Sequence, residues 1–185
     1  MTQYYMVCLD LTGRSCLVVG GGRVATEKVA GLLDAGADVT VVAPIIDDEL
    51  EALPVSVLTR CFTRSDVVNR FLVIAATNDR IVNRTVSAAA RAQNVPCNVA
   101  DDPELCSFIL PAIVREGPIV AGVSTGGASP ALAQRLRSQI AELIGPEHSA
   151  LAERLAELRP WAKQHFDTYD ARRDFFQQLV AEELA

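Results

Sequence analysis

The sequence has few of the features that mark membrane proteins and nucleic-acid-binding proteins. No run approaches the ~18 consecutive apolar residues of a membrane-spanning helix, and the first residues, MTQYYMVCLDL, place no basic region ahead of an apolar one. The formal net charge of −6 argues against nucleic acid as a bulk partner, because such proteins usually carry a basic face. We therefore predict a cytoplasmic protein that binds neither membranes nor nucleic acid.

Cysteine and histidine are too few and too scattered to predict a stable metal site. The five cysteines form no C-x-x-C pair, and most of them lie in apolar, strand-like runs. We predict reduced thiols in the core for this set, which consists of Cys8, Cys16, Cys61, Cys97 and Cys106. His148 and His165 are isolated, and an isolated histidine is more often neither a ligand nor a catalyst. No metal-ligating residue is therefore predicted.

The first part of the chain alternates between strand-like and helical patterns. Half of the 185 residues are hydrophobic, enough for one core with an appendage or for two small domains. The alternation continues to about residue 112 and predicts a doubly wound parallel sheet of the Rossmann type. After a strand or extended lead-in at 4–11, the predicted strands are 16–19, 38–43, 55–62, 71–76 and 95–100, and predicted helices begin at Val24, Asp47 and Val82.

The pattern changes beyond residue 112. Two apolar runs, 108–114 and 119–124, are separated by a turn too short for a crossover helix and predict an antiparallel hairpin. Ser129-Pro130 then begins a helix that runs to Ile144, with Leu132, Leu136, Ile140 and Leu143 on one face. Residues 147–185 are predicted to be helical throughout. We therefore predict three parts: a nucleotide-binding domain over 1–112, a small α+β segment (hairpin plus helix) over 113–145 and a helical domain over 146–185.

Residues 16–36, CLVVGGGRVATEKVAGLLDAG, carry the strongest functional signal. A buried strand, a glycine turn and a helix follow one another, and Gly20-x-Gly22-x-x-Ala25 matches the dinucleotide-binding fingerprint. Gly20 would form the tight turn, and Gly22 would let a pyrophosphate approach the backbone. Arg23, inside the loop, could contact a phosphate, and Val24 begins the helix whose N-terminus would face the phosphates. The alternative is a turn with a structural role only.

The acid that binds the adenosine ribose in such folds is missing from its usual place. The second predicted strand ends in Val42-Ala43-Pro44, and Asp47 and Asp48 come later. Main-chain contacts from Pro44 and Ile45 could hold the adenosine instead. Spacing alone therefore leaves NAD and NADP undecided.

Polar residues follow the last two strands of the predicted sheet, at the edge where ligands bind in open α/β folds. Thr77 and Asn78 follow strand 71–76, Asn98 lies near the end of strand 95–100, and Asp101 follows that strand. A plain helix cap is an equally good interpretation of Asn78 and Asp79, and the adjacent acids Asp101 and Asp102 could simply cap the turn before Pro103. An acid beside a nicotinamide is also what proton abstraction requires.

A second site for anions is predicted in the loop Ser124-Thr125-Gly126-Gly127. Backbone amides gather there at the N-terminus of the helix that begins at Pro130, an arrangement that suits carboxylates. The alternative is a flexible hinge.

With these motifs assembled, the chain resembles the precorrin-2 dehydrogenase family, the N-terminal module of siroheme synthase, over nearly its whole length. The fingerprint is common to many folds, whereas the later segments in this order are specific. The matching segments are CLVVGGGRVATEK (16–28), AGADVTVVAP (35–44), AATND (75–79), CNVADDPELCSFILPAIV (97–114) and VSTGGASPALAQRLR (123–137).

The resemblance implies an NAD-dependent oxidation of precorrin-2 to sirohydrochlorin by a homodimer built through the middle segment. Some members of the family also insert ferrous ion, and nothing in the sequence separates that bifunctional enzyme from a dehydrogenase acting alone. The family's acid falls on Asp101, which we assign as the general acid/base. The tetrapyrrole carries many carboxylates, and we expect its binding residues to be Asn98, Ser124, Thr125, Gly126 and the nearby Arg115 or Arg135.

A protein of a different class remains as an alternative: a nucleotide-sensing Rossmann module without chemistry. Asp101 and the loop at 124–127 argue against it, because a sensor needs neither a positioned acid nor a second anion site.

Overall fold

The computed structural model describes residues 4–184, which form two compact units. Unit 1 ends at Leu110, and unit 2 begins at Pro111. Unit 1 is an α/β domain, and unit 2 combines a two-stranded hairpin with helices.

Unit 1 is built on a five-stranded, fully parallel sheet, which confirms the predicted Rossmann-type fold. The strands are β1 (Ser15–Val19), β2 (Asp38–Ala43), β3 (Ser56–Thr59), β4 (Leu72–Ala75) and β5 (Cys97–Val99). Their order is β3-β2-β1-β4-β5, so the chain crosses from one side of β1 to the other between β3 and β4. In such sheets the ligand crevice lies outside the carboxyl ends of the strands at this switch point, here β1 and β4.

Helices cover both faces of the sheet because the strands bury side chains on both faces. On β1, Cys16 and Val18 pack into one core cluster and Leu17 and Val19 into the other, following the two-residue alternation of a strand. The first cluster includes side chains of α1, and the second includes side chains of α3. The helices of unit 1 are α1 (Arg23–Asp34), α2 (Asp48–Glu51) and α3 (Arg80–Ala92), with 3₁₀ turns at Arg64–Val67 and Pro103–Leu105.

Unit 2 contains the predicted hairpin and a helical region. Its elements are β6 (Ala112–Glu116), β7 (Ile119–Val123), α4 (Pro130–Leu143), α5 (Pro146–His165) and α6 (Tyr169–Glu183). The predicted helical region is confirmed, but the prediction that it is helical throughout is wrong at residues 166–168, which separate α5 from α6. The Thr168 hydroxyl accepts a hydrogen bond from Ala171 N at 3.2 Å and so caps a new helix. The division of this unit at residue 145 stays a prediction.

The apolar face predicted for α4 is exposed to a large extent. Leu132, Leu136 and Leu143 are 50%, 38% and 73% exposed, and Ala133 is the buried residue of this helix. Single exposed leucines are ordinary on a protein surface, whereas a row of them on one helix is typical of an interaction surface.

Two further expectations are corrected by the structure. Residues 4–11 belong to no strand or helix, so only the extended lead-in remains of that prediction. The core location predicted for the cysteines is wrong for Cys8 and Cys61, which are exposed. Cys16 and Cys97 are buried, and burial raises the pKa of their thiols to about 11 and about 12.

Within residues 4–184, no three histidine, cysteine or acidic side chains come together as a metal site would require. Over the same range, no helix combines the length and the apolar character needed to cross a membrane.

Asp66 anchors the turn that precedes β4. Its buried carboxylate accepts hydrogen bonds from both terminal nitrogens of Arg60, at 2.9 and 2.6 Å, and from Thr63 N at 2.8 Å. The bonds from Arg60 are the main cause that lowers the pKa of Asp66 to about 2, against the opposing effect of burial. The Asp66 carbonyl in turn accepts a hydrogen bond from Arg70 Nε, and Arg70 also donates to the hydroxyls of Ser15 in β1 and Thr40 in β2.

Replacing Asp66 by Asn should lower the free energy of unfolding at pH 7 by about 2 kcal/mol, the value expected for a buried carboxylate that accepts charge-assisted hydrogen bonds from a partly exposed arginine. Because the folded-state pKa lies below that of the unfolded chain, about 3.9, the carboxylate's contribution is complete above pH ~4 and disappears as the pH falls toward 2. Urea unfolding of the wild type and of Asp66→Asn at pH 7 and pH 3 measures the difference in unfolding free energy. Asp170→Asn, which removes an exposed ion pair with Arg173, is the control, and an equal loss for Asp66→Asn at the two pH values would contradict the prediction.

Candidate active site

The glycine turn between β1 and α1 is enclosed by backbone from two neighbouring strands. Gly20 has a φ of +130°, and a Cβ there would collide with the carbonyl oxygen of Ala76, just after β4. A Cβ on Gly21, a residue without a predicted role, would collide with the carbonyl oxygen of Ile45, just after β2. The first two glycines are therefore required by the fold itself.

Gly22 differs, because nothing in the fold requires a glycine there. It is the N-cap of α1 with an ordinary φ of −97°, and the atom nearest to a Cβ added at this position would be Asp47 Oδ2 at 3.8 Å. The absent side chain leaves open space directly beside the first turn of α1, whose N–H groups carry the positive end of the helix dipole. This space fits the pyrophosphate of a dinucleotide.

The other residues predicted to bind the cofactor surround this turn or follow the neighbouring strands. Arg23 and Val24 are exposed on the first turn of α1, and Arg23 Nη1 lies 3.6 Å from Glu27 Oε1. Pro44 and Ile45 are exposed just after β2, where they could contact an adenosine.

Asp47 lies closer to the glycine turn than its place in the sequence indicates. Its N–H donates to Gly21 O at 2.8 Å, which folds the loop after β2 back onto the turn. Its exposed carboxylate caps no helix N–H and makes no ion pair among residues 4–184. A carboxylate thus stands beside Gly22, although the end of β2 has none.

The loop after β4 is held by a residue that the sequence did not single out. Asn83 is buried on α3, its Oδ1 accepts a hydrogen bond from the Thr77 hydroxyl at 2.7 Å, and its Nδ2 donates to Thr77 O at 3.0 Å. Asp79 caps α3 by accepting from Ile81 N and Val82 N, whereas Asn78 is exposed. A polar residue on the buried stripe of α3 was the signal that could have revealed Asn83.

Asp101 lies on an open cleft beyond the carboxyl ends of β4 and β5. Its φ is +59°, a left-handed conformation that residues other than glycine rarely adopt and that often marks functional sites. Its carboxylate is exposed and makes no hydrogen bond within the described part of the chain. The cleft has a volume of about 650 Å³ and is lined by Asn78, Arg80, Asn83, Ala100, Asp101, Asp102, Pro103 and Glu104.

Asn98 is not brought to this cleft. It is buried in β5, and its Nδ2 donates to the carbonyl of Phe108 at 3.1 Å, which ties the strand to the segment that follows. A role for Asn98 in substrate binding remains a prediction.

The remaining predicted substrate residues belong to unit 2. Arg115, Ser124 and Arg135 are exposed. In the loop before α4, Gly126 N donates to Ser124 Oγ at 3.2 Å, and the Thr125 hydroxyl exchanges hydrogen bonds with the backbone of Ser129 at 3.1 Å. These contacts order the loop, and its contact with a substrate remains a prediction.

Two family profiles match this chain. The profile of a family described as "Putative NAD(P)-binding" matches residues 7–112, and that of "Sirohaem biosynthesis protein central" matches residues 122–143. Similar curated proteins include the siroheme synthases of Nitrosomonas eutropha, 42% identical over 183 residues, and Nitrosomonas europaea, 45% identical over 183 residues. Each alignment covers 96% of this chain and 38% of the relative, so the chain spans about two fifths of the length of these relatives.

Among solved structures, a precorrin-2 dehydrogenase is similar over nearly the whole chain. It is SirC, a precorrin-2 dehydrogenase, with a TM-score of 0.83 and 29% sequence identity, covering 98% of this chain and 93% of its own. The likeness therefore includes both units.

Proposed function

Because the chain belongs to the precorrin-2 dehydrogenase family, the N-terminal module of siroheme synthases, we propose that it oxidises precorrin-2 to sirohydrochlorin with NAD. The observation that carries this proposal is the placement of Asp101. An unpaired acid in a left-handed conformation lines a cleft at the ligand-binding edge of a domain that binds a nicotinamide dinucleotide.

Loss of two electrons from the reduced macrocycle releases one hydride and one proton. The bound cofactor supplies the hydride acceptor. The Asp101 carboxylate takes the proton, and its exposure lets it reach a substrate without unfolding the turn after β5. The open space at Gly22 holds the pyrophosphate, while Asn83 fixes the Thr77 loop that separates the glycine turn from the cleft.

Asp47 supports NAD rather than NADP as the cofactor. In dinucleotide-binding folds an acid that follows the second strand, about 20 residues past the glycines, binds the ribose hydroxyls of NAD and disfavours NADP. Asp47 supplies such an acid, because its backbone bond to Gly21 holds it beside the turn. Parallel titrations of the protein with NAD and NADP test this assignment, and tighter binding of NADP would contradict it.

The exposed row of leucines on α4 supports a homodimer that is formed through unit 2. Replacing Leu132 by Glu would place a charge in that interface and should shift the protein from dimer to monomer at micromolar concentration, with unit 2 still folded because this side chain is half exposed. Sedimentation velocity measures the change. Gln134→Glu, on an exposed position of the same helix, should leave the dimer intact; a monomeric wild-type protein would refute the proposal.

The reaction itself is tested by anaerobic absorbance with precorrin-2 and NAD, followed by addition of ferrous or cobaltous ion. Formation of NADH and sirohydrochlorin is the expected result. Metal insertion faster than the enzyme-free rate would add chelatase activity to the assignment. Nucleotide binding without any NADH would refute the dehydrogenase and favour a nucleotide sensor.

A further inference from the structure

Arg80 opens α3 and lies at the cleft lined by Asp101. Its Nε donates to Asp102 Oδ2 at 3.2 Å, and the side chains of Arg80 and Asp102 are 68% and 16% exposed. Arg80 follows β4 and Asp102 follows β5, so the ion pair bridges the carboxyl ends of these neighbouring strands. The less exposed acid therefore fixes a guanidinium that is still open to solvent.

This ion pair leaves most of the guanidinium available. Only Nε is engaged by Asp102, and the two Nη groups make no hydrogen bond to residues 4–184. A guanidinium presents its N–H groups as a planar fork that matches a carboxylate. Because Asp102 already restrains the Arg80 side chain, binding a carboxylate would cost less side-chain conformational entropy than it would for an unrestrained arginine.

The cleft is mostly acidic, so a cation in it would help to bind an anionic substrate. Among the residues that line it, Arg80 is the positively charged one, whereas Asp101, Asp102 and Glu104 are acidic. A substrate that carries many carboxylates and must bring a ring atom to Asp101 would otherwise approach acids alone. Arg80 supplies the opposite charge within the same cleft.

We propose that Arg80 binds a carboxylate side chain of the tetrapyrrole beside Asp101, and that Asp102 positions its guanidinium. The class of ligand rests on the proposed function. Arg80 thereby becomes a specificity-determining residue that selects substrates with an anionic substituent next to the reacting part of the ring.

The test uses uroporphyrin, a stable tetrapyrrole with carboxylate side chains, as the probe, and binding is followed by fluorescence quenching. Arg80→Gln should weaken uroporphyrin binding at least about tenfold, and Arg80→Lys should lie between wild type and Gln because lysine keeps the charge without the fork. NAD binding should stay within about twofold. Arg84→Gln, one turn further along the exposed side of α3, is the matched control and should bind both ligands as wild type does.

A merely structural role for Arg80, neutralising Asp102, is distinguished by the double variant Arg80→Gln/Asp102→Asn. Restored uroporphyrin binding in the double variant would overturn the proposal; binding as weak as in Arg80→Gln would support it. Unchanged binding in Arg80→Gln, or no binding by the wild type, would also overturn it. Wild-type turnover of precorrin-2 is measured separately. If the wild type forms no NADH but Arg80→Gln still weakens uroporphyrin binding, the proposed reaction alone is refuted.

Discussion

Replacing Asp101 by Asn should reduce kcat for precorrin-2 oxidation by about 100- to 10,000-fold, because an amide cannot accept the proton that the carboxylate removes. The substitution suits this position, since asparagine tolerates the left-handed φ of +59° better than most residues do. We therefore expect the thermal midpoint and the dissociation constant for NAD to stay close to those of the wild type. Anaerobic NADH formation at saturating precorrin-2 measures the effect.

Glu104→Gln is the matched control for Asp101. Glu104 lines the same cleft and its substitution removes the same charge, yet no role in proton transfer is assigned to it. Its kcat should remain within about threefold of wild type. A comparable loss of kcat in Glu104→Gln would show that the effect comes from the charge of the cleft. Full activity in Asp101→Asn would show that Asp101 is not the proton acceptor.

Substitutions in the glycine turn should distinguish glycines required for stability from those required for cofactor binding. Gly22→Ala should weaken NAD binding by about 10- to 100-fold, because the added methyl group occupies the space assigned to the pyrophosphate. Its cost in unfolding free energy should stay below about 1 kcal/mol, since the backbone at Gly22 is ordinary and no protein atom is in the way.

Gly20→Ala should mainly reduce the stability of the fold. Its φ of +130° and the collision with the Ala76 carbonyl predict a loss of about 3 kcal/mol or more in unfolding free energy. Gly31→Ala, in open space on α1, is the control and should raise stability by about 0.5–1 kcal/mol with NAD binding unchanged. Urea unfolding and NAD titration measure both quantities. Wild-type NAD affinity in Gly22→Ala would refute the pyrophosphate site.

Local sequence patterns were sufficient for the elements of the sheet. The segment DVTVVA is β-branched, lies between Gly36 and Pro44, and forms β2 at the predicted bounds. The break at 166–168 was missed because good helix formers surround it and the capping signal of Thr168 is short. The fold class could therefore be predicted from residue propensities and from the glycines and prolines that end the elements, whereas one helix boundary could not.

The details of the site depend on contacts between distant parts of the chain. The strained φ of Asp101, the bonds between Asn83 and Thr77 and the approach of Asp47 to Gly22 arise only when separate loops meet at one sheet edge. Likewise, periodicity placed the α4 leucines on one face but could not show that this face is exposed. Spacing can locate the edge where ligands bind, but it cannot show which side chains converge there.

The distribution of the cysteines makes unit 2 accessible to selective chemical labelling. All five thiols precede residue 107, and the high pKa values of buried Cys16 and Cys97 keep them almost entirely protonated at neutral pH, so they react slowly with maleimides. Cys106 is half-buried, and burial raises the pKa of its thiol as well. With the exposed Cys8 and Cys61 replaced by serine, a cysteine introduced on the exposed surface of α4 would carry the fast-reacting thiol. A fluorophore or spin label could then report on subunit association directly.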